Sequence, residues 1–340
     1  MEKDYYGIRV WIIVRFFYSD NGSTAVEVAL KMAIQRENLR GSCKRKLLAF
    51  QGAYHGDTFG AMALGERGLF TRHFQSYFFE VTFMTPPTPG KENQSWEEFQ
   101  QAIAGGDVGA FIFEPLLQGS AGMVVHDSQV LNRMVQVCQT QGITTIADEV
   151  MTGFYRTGHF RASAVLDVSP DLLCFSKGIT GGVMPLGATV CHQDLVEAFR
   201  PATPEHIFFH GHSYTGNPLA LSLANASLDL LERPEVQEQI RLIQKTQKQG
   251  QEDLSTFVAN QGRQHQVEIR CLGTMLAMEI RTEGGHYLHS LRERLYLHFL
   301  EQGILLRPLG NIVYTLPPYC STSQDLSLVH EAMKGFLEHL

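Results

Sequence analysis

Two side chains that could act on one ligand each follow a predicted strand. Lys177 comes after the apolar run Leu172–Phe175 and Ser176, and Asp148 comes directly after Ile143–Ala147. Partial desolvation at such a position makes a lysine amine nucleophilic, and an aspartate there can keep a pyridine nitrogen protonated. A surface lysine on a turn and a helix-capping aspartate are the alternatives, but two such groups on one edge of a sheet favour a shared ligand.

A loop rich in small polar residues, Ser19 to Thr24, opens directly into the predicted helix Ala25–Gln35. The first turn of a helix offers backbone N–H groups without partners and the positive end of the helix dipole, which together bind phosphate. An ordinary N-cap formed by Asn21 or Ser23 is the alternative for such a loop taken alone. The loop therefore predicts a phosphate site only in combination with the neighbouring motifs.

The motif Tyr54-His55-Gly56-Asp57 follows the predicted strand Leu47–Phe50, so Tyr54 could stack on a flat ring. His55 could act as a general base, although a packed loop histidine is the simpler reading. The pair His210 and His212 suggests a metal, but His-x-His lacks a third ligand. We therefore predict no metal site.

The composition excludes several classes of protein. The 340 residues carry a net charge of −7, which argues against sequence-independent nucleic-acid binding. Apolar runs are too short to span a bilayer. The six cysteines are scattered without a Cys-x-x-Cys pair, and this favours free thiols in a reducing cytoplasm.

Short apolar runs alternate with stretches of helical periodicity, which predicts an α/β fold with a mostly parallel sheet. Ligands of such sheets bind beyond the carboxyl ends of the strands. The predicted strands of this large domain are Leu47–Phe50, Ala110–Phe113, Ile143–Ala147, Leu172–Phe175 and Ala188–Cys191, with helices at Ala25–Gln35 and Gln129–Gln141.

The pattern changes near residue 235, where a smaller α+β domain is expected to begin. We assign 16–235 to the large domain and 236–340 to the small one, and leave 1–15 unplaced. The predicted elements of the small domain are helices Val236–Ala259, Ser290–Gln302 and Leu326–Leu340 and strands Glu268–Leu272, Met275–Ile280 and Ile304–Leu306.

These motifs, taken in order, resemble the class III aminotransferases, which have the type I fold of enzymes dependent on pyridoxal 5′-phosphate (PLP). Several separate motifs in the right order make chance agreement implausible. The segments that carry the resemblance are 17–33, 54–60, 113–119, 147–158, 176–178, 210–220, 307–310 and 316–319.

The resemblance implies a role for each matching residue in cofactor binding. Lys177 corresponds to the lysine that forms the Schiff base and carries the proton, and Asp148 corresponds to the partner of the pyridine nitrogen. The remaining implied cofactor contacts are Gly22 and Ser23 at the phosphate, Tyr54 and Val150 on the two ring faces, and Ser213 reaching the phosphate from the other subunit of a homodimer.

On the substrate side, the resemblance implies that Arg307 holds the carboxylate of a keto acid, with Tyr54, Asp57, Arg156 and Gly211 nearby. The chain reads Glu114-Pro-Leu-Leu-Gln-Gly-Ser120, where glutamate-linked relatives have a glutamate shortly after the Glu-Pro motif. This difference favours the group that converts 8-amino-7-oxononanoate into 7,8-diaminononanoate in biotin biosynthesis, with S-adenosylmethionine as the expected amino donor.

Two other interpretations remain open. The chain could be another class III ω-aminotransferase. Only about fifteen residues precede the Phe-Tyr-Ser-Asp motif, whereas family members carry a longer segment there. We therefore also expect that an N-terminal segment is missing, which would leave a cofactor-binding or dimerising remnant with little turnover.

Overall fold

A computed structural model describes residues 13–200, 203–282 and 290–340. The chain divides into two compact units. Among the described residues, the first comprises 13–121, 126–154, 161–200 and 203–229, and the second comprises 122–125, 155–160, 230–282 and 290–340. The two short segments 122–125 and 155–160 fall inside the predicted large domain, and no sequence pattern indicated that they belong with the C-terminal part.

The first unit contains a seven-stranded sheet in the order β1-β9-β8-β7-β4-β2-β3. Its strands are β1 (Ile13–Ser19), β2 (Lys46–Phe50), β3 (Val81–Met84), β4 (Val108–Phe113), β7 (Thr144–Asp148), β8 (Leu172–Phe175) and β9 (Gly187–His192), and the short strands β5 (Leu117–Gln118) and β6 (Val124–Val125) lie outside this sheet. Strands β3, β2, β4, β7 and β8 pair in parallel, whereas β9 runs antiparallel to both β8 and β1. The predicted α/β class with a mostly parallel sheet is confirmed.

Helices surround this sheet and supply much of its core. They are α1 (Gly22–Leu39), α2 (Phe59–Ala63), α3 (Glu92–Ile103), α4 (Ser128–Thr140), α5 (Gln193–Glu197) and α6 (Pro218–Leu231), the last of which ends in the second unit. Helix α1 buries Ala25, Val26 and Ala29 completely, in one cluster with residues of β2, β4, β7, β8 and β9. The burial fixes the start of α1 beside the carboxyl ends of the central strands.

The second unit packs helices on a three-stranded antiparallel sheet in the order β10-β11-β12. Its elements are α7 (Pro234–Asn260), β10 (Val267–Leu272), β11 (Met275–Ile280), α8 (Leu291–Glu301), β12 (Ile312–Thr315) and α9 (Ser323–Glu338). Thr322 and Asp325 form a capping box, so α9 begins three residues earlier than predicted. Within the described ranges, no helix is long and apolar enough to cross a bilayer.

The structure corrects one predicted strand and places part of the segment that the sequence left unplaced. The predicted strand Ile304–Leu306 is wrong: this stretch is irregular, and Leu305 is 76% exposed. The third strand of the small sheet is instead β12, which pairs with β11. Of the unplaced segment 1–15, residues 13–15 belong to β1, and the others lie outside the described residues.

Candidate active site

The carboxyl ends of four neighbouring parallel strands carry the candidate catalytic residues. Asp148 is the last residue of β7 and pairs in register with Cys174 of β8, three residues before Lys177. Glu114 directly follows β4, and Tyr54 follows β2 after a short turn. We call this region the carboxyl edge of the sheet, because parallel strands bring these ends together.

Lys177 has an unusual backbone conformation. Its φ of 43° lies in the left-handed region, which disfavours residues with a side chain. Contacts hold both of its neighbours: the Ser176 hydroxyl donates to the Leu186 carbonyl at 2.7 Å, and Gly178 packs so closely on the Phe154 ring that a Cβ there would lie 2.8 Å from it. The Lys177 side chain is exposed and has no hydrogen-bond partner among the described residues. Its amine is therefore available to a ligand.

Asp148 is a buried carboxylate held in one orientation. Its Oδ2 accepts a hydrogen bond from His55 Nδ1 at 2.7 Å, and its Oδ1 accepts from the Val150 amide at 3.1 Å. The His55 side chain is fully buried, and its Nε2 has no partner among the described residues. His55 is the packed loop histidine that its sequence context favoured, but its role as the partner of Asp148 carried no local signal.

Glu114 adds a second buried carboxyl group to the carboxyl edge. It accepts hydrogen bonds from the backbone amides of Gly119 at 3.0 Å and Tyr54 at 3.4 Å, and so joins the loops after β4 and β2. Burial, opposed by His55 and reinforced by Asp148, raises the pKa of Glu114 to about 7. In the sequence, Glu114 stood out only as part of the Glu-Pro motif, and nothing there predicted that its carboxyl group lies buried between the loops after β4 and β2.

The start of α1 offers two unpaired amides. Asn21 caps the helix: its Oδ1 accepts from the Thr24 amide at 2.9 Å, while Thr24 Oγ1 accepts from the Asn21 amide. The amides of Gly22 and Ser23, which precede Thr24, have no acceptor among the described residues. A Cβ at Gly22 would lie 2.8 Å from a methyl group of Val150, so glycine lets this turn approach Val150, two residues beyond the end of β7.

Tyr54 and Asp57 form a hydrogen-bonded pair, in which the Tyr54 hydroxyl donates to Asp57 Oδ2 at 2.9 Å. Partial burial and the Asp57 carboxylate raise the pKa of Tyr54 to about 12. The phenol therefore stays protonated at neutral pH. Tyr54 is 49% exposed, so a flat ligand can reach it.

Two predicted substrate contacts belong to the second unit. Arg156 donates from one nitrogen to Thr274 Oγ1 at 3.0 Å and to the Pro317 carbonyl at 2.9 Å, and its guanidinium lies over the Tyr319 ring. Burial lowers the pKa of Arg156. Arg307 is exposed in the irregular stretch between α8 and β12. Their contacts with a substrate stay predictions.

The segment around Gly211 and Ser213 lies in the first unit and leaves both residues exposed. His210 Nδ1 lies 3.1 Å from Lys31 Nζ, and the cation lowers the pKa of His210 in addition to the larger effect of burial. The contact of Ser213 with a second subunit stays a prediction. Across the described ranges, no group of three or more histidine, cysteine, aspartate or glutamate side chains could hold a metal ion.

These residues fit PLP, the cofactor that the sequence motifs imply. Asp148 supplies a buried, oriented carboxylate for a pyridinium nitrogen, and Lys177 supplies an unpaired amine for an aldehyde. The amides of Gly22 and Ser23 suit a phosphate, while Val150 and Tyr54 suit the faces of a flat ring. The fit rests on the first unit alone.

Comparisons with known proteins identify the family. The family profile described as aminotransferase class-III matches residues 9–337. The chain is 42% identical over 338 residues to an adenosylmethionine-8-amino-7-oxononanoate aminotransferase from Synechococcus elongatus, with 96% of this chain and 77% of the relative covered. It is 34% identical to the Helicobacter pylori protein of the same name, with 95% and 74% covered.

Solved structures show the same similarity. An adenosylmethionine-8-amino-7-oxononanoate aminotransferase from Methanocaldococcus jannaschii superposes with a TM-score of 0.85 at 30% identity, covering 96% of this chain and 76% of the other. An amine transaminase from an uncultivated Pseudomonas species, in a PLP-bound form, gives 0.84 at 30% identity, covering 94% and 76%. Fold and sequence thus point to one family.

Proposed function

Because this chain belongs to the class-III aminotransferases, we propose that it is a PLP-dependent enzyme that transfers an amino group to 8-amino-7-oxononanoate. The observation that carries the chemistry is that buried Asp148 and the unpaired amine of Lys177 follow adjacent strands, β7 and β8, at the carboxyl edge. The substrate follows from the relatives' names, at 30–42% identity over most of the chain.

PLP, when bound, supplies an electron sink that stabilises negative charge on the carbon losing its proton. The Lys177 amine would hold the aldehyde of the cofactor, and Lys177 Nζ would take up and return the proton of the reacting substrate carbon. Asp148 keeps the ring nitrogen protonated, and His55 Nδ1 fixes that carboxylate. The amides of Gly22 and Ser23 bind the phosphate, joined in a dimer by Ser213 of the partner subunit.

The substrates are small molecules. Arg307 binds the carboxylate of the keto acid, since a guanidinium matches a carboxylate with two parallel hydrogen bonds. Tyr54, Asp57, Arg156 and Gly211 contribute to the substrate side. The amino donor is S-adenosylmethionine, as the relatives' names indicate, and the product 7,8-diaminononanoate belongs to biotin biosynthesis.

The enzyme acts as a homodimer with shared active sites, in the cytoplasm. Exposed aromatic side chains flank Ser213, with Phe209 73% and Tyr214 72% exposed, as expected of a surface that a partner covers. The six cysteines are free thiols, which suits a reducing compartment. Light scattering of the purified protein tests the dimer: a monomer that binds PLP at full affinity contradicts it.

Amino transfer is tested with purified protein, PLP and 8-amino-7-oxononanoate, with S-adenosylmethionine, lysine, glutamate or an aromatic amine as donor. Mass spectrometry should detect 7,8-diaminononanoate with S-adenosylmethionine, and the Lys177→Ala variant should form none. Transfer from the aromatic amine to simple ketones, without diaminononanoate, would instead indicate an ω-aminotransferase. Bound PLP without any transfer contradicts both.

A further inference from the structure

Glu27, in the second turn of α1, makes hydrogen bonds that the proposed mechanism does not use. Its Oε1 accepts from Thr58 Oγ1 at 2.6 Å, from the Gly60 amide at 2.7 Å and from the Ala61 amide at 3.0 Å. Those amides belong to the first turn of α2 and have no acceptor within that helix. One carboxylate oxygen thus fixes both the start of α2 and the Thr58 hydroxyl.

Thr58 in turn contacts Ser23, which the proposed function places at the cofactor phosphate. The two hydroxyl oxygens lie 2.7 Å apart, and the Thr58 amide donates to Ser23 Oγ at 3.0 Å. A hydroxyl group has only one proton to donate. Because Thr58 gives its proton to Glu27, it accepts from Ser23. The Ser23 proton is therefore directed to Thr58 and the Thr58 proton to Glu27.

Two glycines make room for this chain of hydrogen bonds. Gly56 has a φ of 129°, and a Cβ built there would overlap Ser23 Oγ. A Cβ at Gly60 would overlap the Glu27 carboxylate. The backbone between β2 and α2 therefore approaches α1 more closely than residues with side chains permit, and the hydrogen bonds from Ser23 to Glu27 occupy that contact.

We propose that Glu27 and Thr58 are positioning residues for the phosphate site, which hold Ser23 so that its amide, and not its hydroxyl, binds the anion. This inference rests on the proposed function, since the anion is the phosphate of PLP. The hydroxyl proton is already engaged with Thr58, whereas the amides of Gly22 and Ser23 have no acceptor among the described residues. Glu27 and Thr58 act on the cofactor only through Ser23.

The test compares the affinity of the apoprotein for PLP with its affinity for pyridoxal, which lacks the phosphate. Thr58→Val removes the hydroxyl but keeps the amide, and Thr58→Ser keeps both. We expect Thr58→Val to weaken PLP about tenfold, equivalent to about 1.4 kcal/mol, with no change for pyridoxal. Thr58→Ser should restore the affinity. Thr256→Val, which removes a hydroxyl bonded to a carbonyl on α7, is the matched control.

A double-mutant cycle separates positioning from direct binding. Ser23→Ala should weaken PLP as much as Thr58→Val does, and the double variant should be no weaker, because the residues act as one unit. Glu27→Gln, which keeps an acceptor oxygen, should retain the affinity that Glu27→Leu loses. A larger loss for Ser23→Ala, additive with Thr58→Val, would mean that the hydroxyl binds the phosphate directly and overturns the inference.

Two further outcomes would contradict the inference that Glu27 and Thr58 position Ser23. Equal losses for PLP and pyridoxal, accompanied by a lower melting temperature, would show a purely structural role and overturn the inference alone. A wild-type apoprotein that binds neither PLP nor inorganic phosphate would refute the proposed function together with the inference. The two failures are distinguishable because only the second affects the unmodified chain.

Discussion

The carboxyl edge of the large sheet and a polar cluster around Gln247 in the second unit both bury hydrogen-bonding side chains, but they differ in pairing: the Gln247 side chain has all of its polar atoms paired within the protein. In the second unit, Gln247 is completely buried; its amide donates to the Thr274 carbonyl and Thr315 Oγ1, and its oxygen lies 2.8 Å from His330 Nε2. We call these four residues the Gln247 network. At the carboxyl edge, His55 Nε2 has no partner among the described residues.

This difference separates groups that stabilise the fold from groups that await a ligand. An unpaired buried polar atom costs free energy, so the unpaired His55 Nε2 beside Asp148 suits a ligand or a catalytic role better than a purely structural one. The Gln247 network also imposes a glycine within α7: a Cβ at Gly250 would overlap the His330 ring. A helical glycine costs about 1 kcal/mol relative to alanine. Here the glycine makes room for the His330 ring, which has a structural role and takes no part in the proposed chemistry.

The largest effect should follow the loss of the Lys177 amine. We expect Lys177→Ala to abolish the covalent attachment of PLP that borohydride reduction fixes, because the proposed site binds the aldehyde through this amine alone. Mass spectrometry of the reduced protein measures the adduct. Lys248→Ala, on α7, is the control and should keep it. A reduced adduct on another lysine of the Lys177→Ala variant refutes the assignment.

Asp148→Asn should come next. A neutral amide no longer holds the ring nitrogen protonated, so we expect amino transfer to slow on the order of 100-fold, the scale of losing one preorganised electrostatic partner. The melting temperature should change much less than the rate. Stopped-flow measurement of the half-reaction with the amino donor checks this, and an unchanged rate would contradict the role of Asp148.

The sequence predicted those elements whose pattern is local. The runs Leu172–Phe175 and Ala110–Phe113 are strands because both faces are buried, and α7 shows helical periodicity over its length. Strand β1 was missed because Arg15 interrupts its apolar run and its partner, β9, lies far along the chain. Ile304–Leu306 was misread because an apolar run shows no sign of whether a partner strand exists.

The same distinction applies to the candidate site. Lys177 and Asp148 were predictable because their position after a strand determines where they lie. His55, Glu27 and Thr58 were not, because each acts through a partner distant in sequence: His55 and Asp148 are 93 residues apart, and Thr58 and Glu27 are 31 apart. No local pattern encodes such a pair without the fold that joins the loops.

The Gln247 network should affect stability and not cofactor binding. Gln247→Leu leaves His330 and Thr315 without their buried partner, so we expect a loss of about 1–3 kcal/mol in the free energy of unfolding, measured with urea. Gln249→Leu, an exposed change on the same helix, is the matched control and should cost less. PLP affinity should not change in either variant. A loss of PLP affinity at unchanged stability would overturn the comparison.

The smallest effect concerns how stability depends on pH at Glu114. Its pKa in the folded protein is about 7, above the ordinary value of 4.5, mainly because of burial. The folded protein therefore keeps this proton to a higher pH than the unfolded chain does. The stabilising contribution of the group is complete below about pH 4.5 and is lost as the pH rises through about 7.

Glu114→Gln removes this titration, so its melting temperature should fall less than that of the wild type between pH 5 and pH 8, a range chosen to span roughly the two pKa values. The glutamine also places an N–H group against the Tyr54 or Gly119 amide, which both need an acceptor, and should lower the melting temperature at every pH. The slope, not the absolute value, is thus the diagnostic quantity. Glu97→Gln, at an exposed site on α3, should keep the wild-type slope. If Glu114→Gln instead keeps the wild-type slope of melting temperature against pH, the carboxyl group does not titrate in this range. The carboxyl edge would then differ from the Gln247 network only in its unpaired groups.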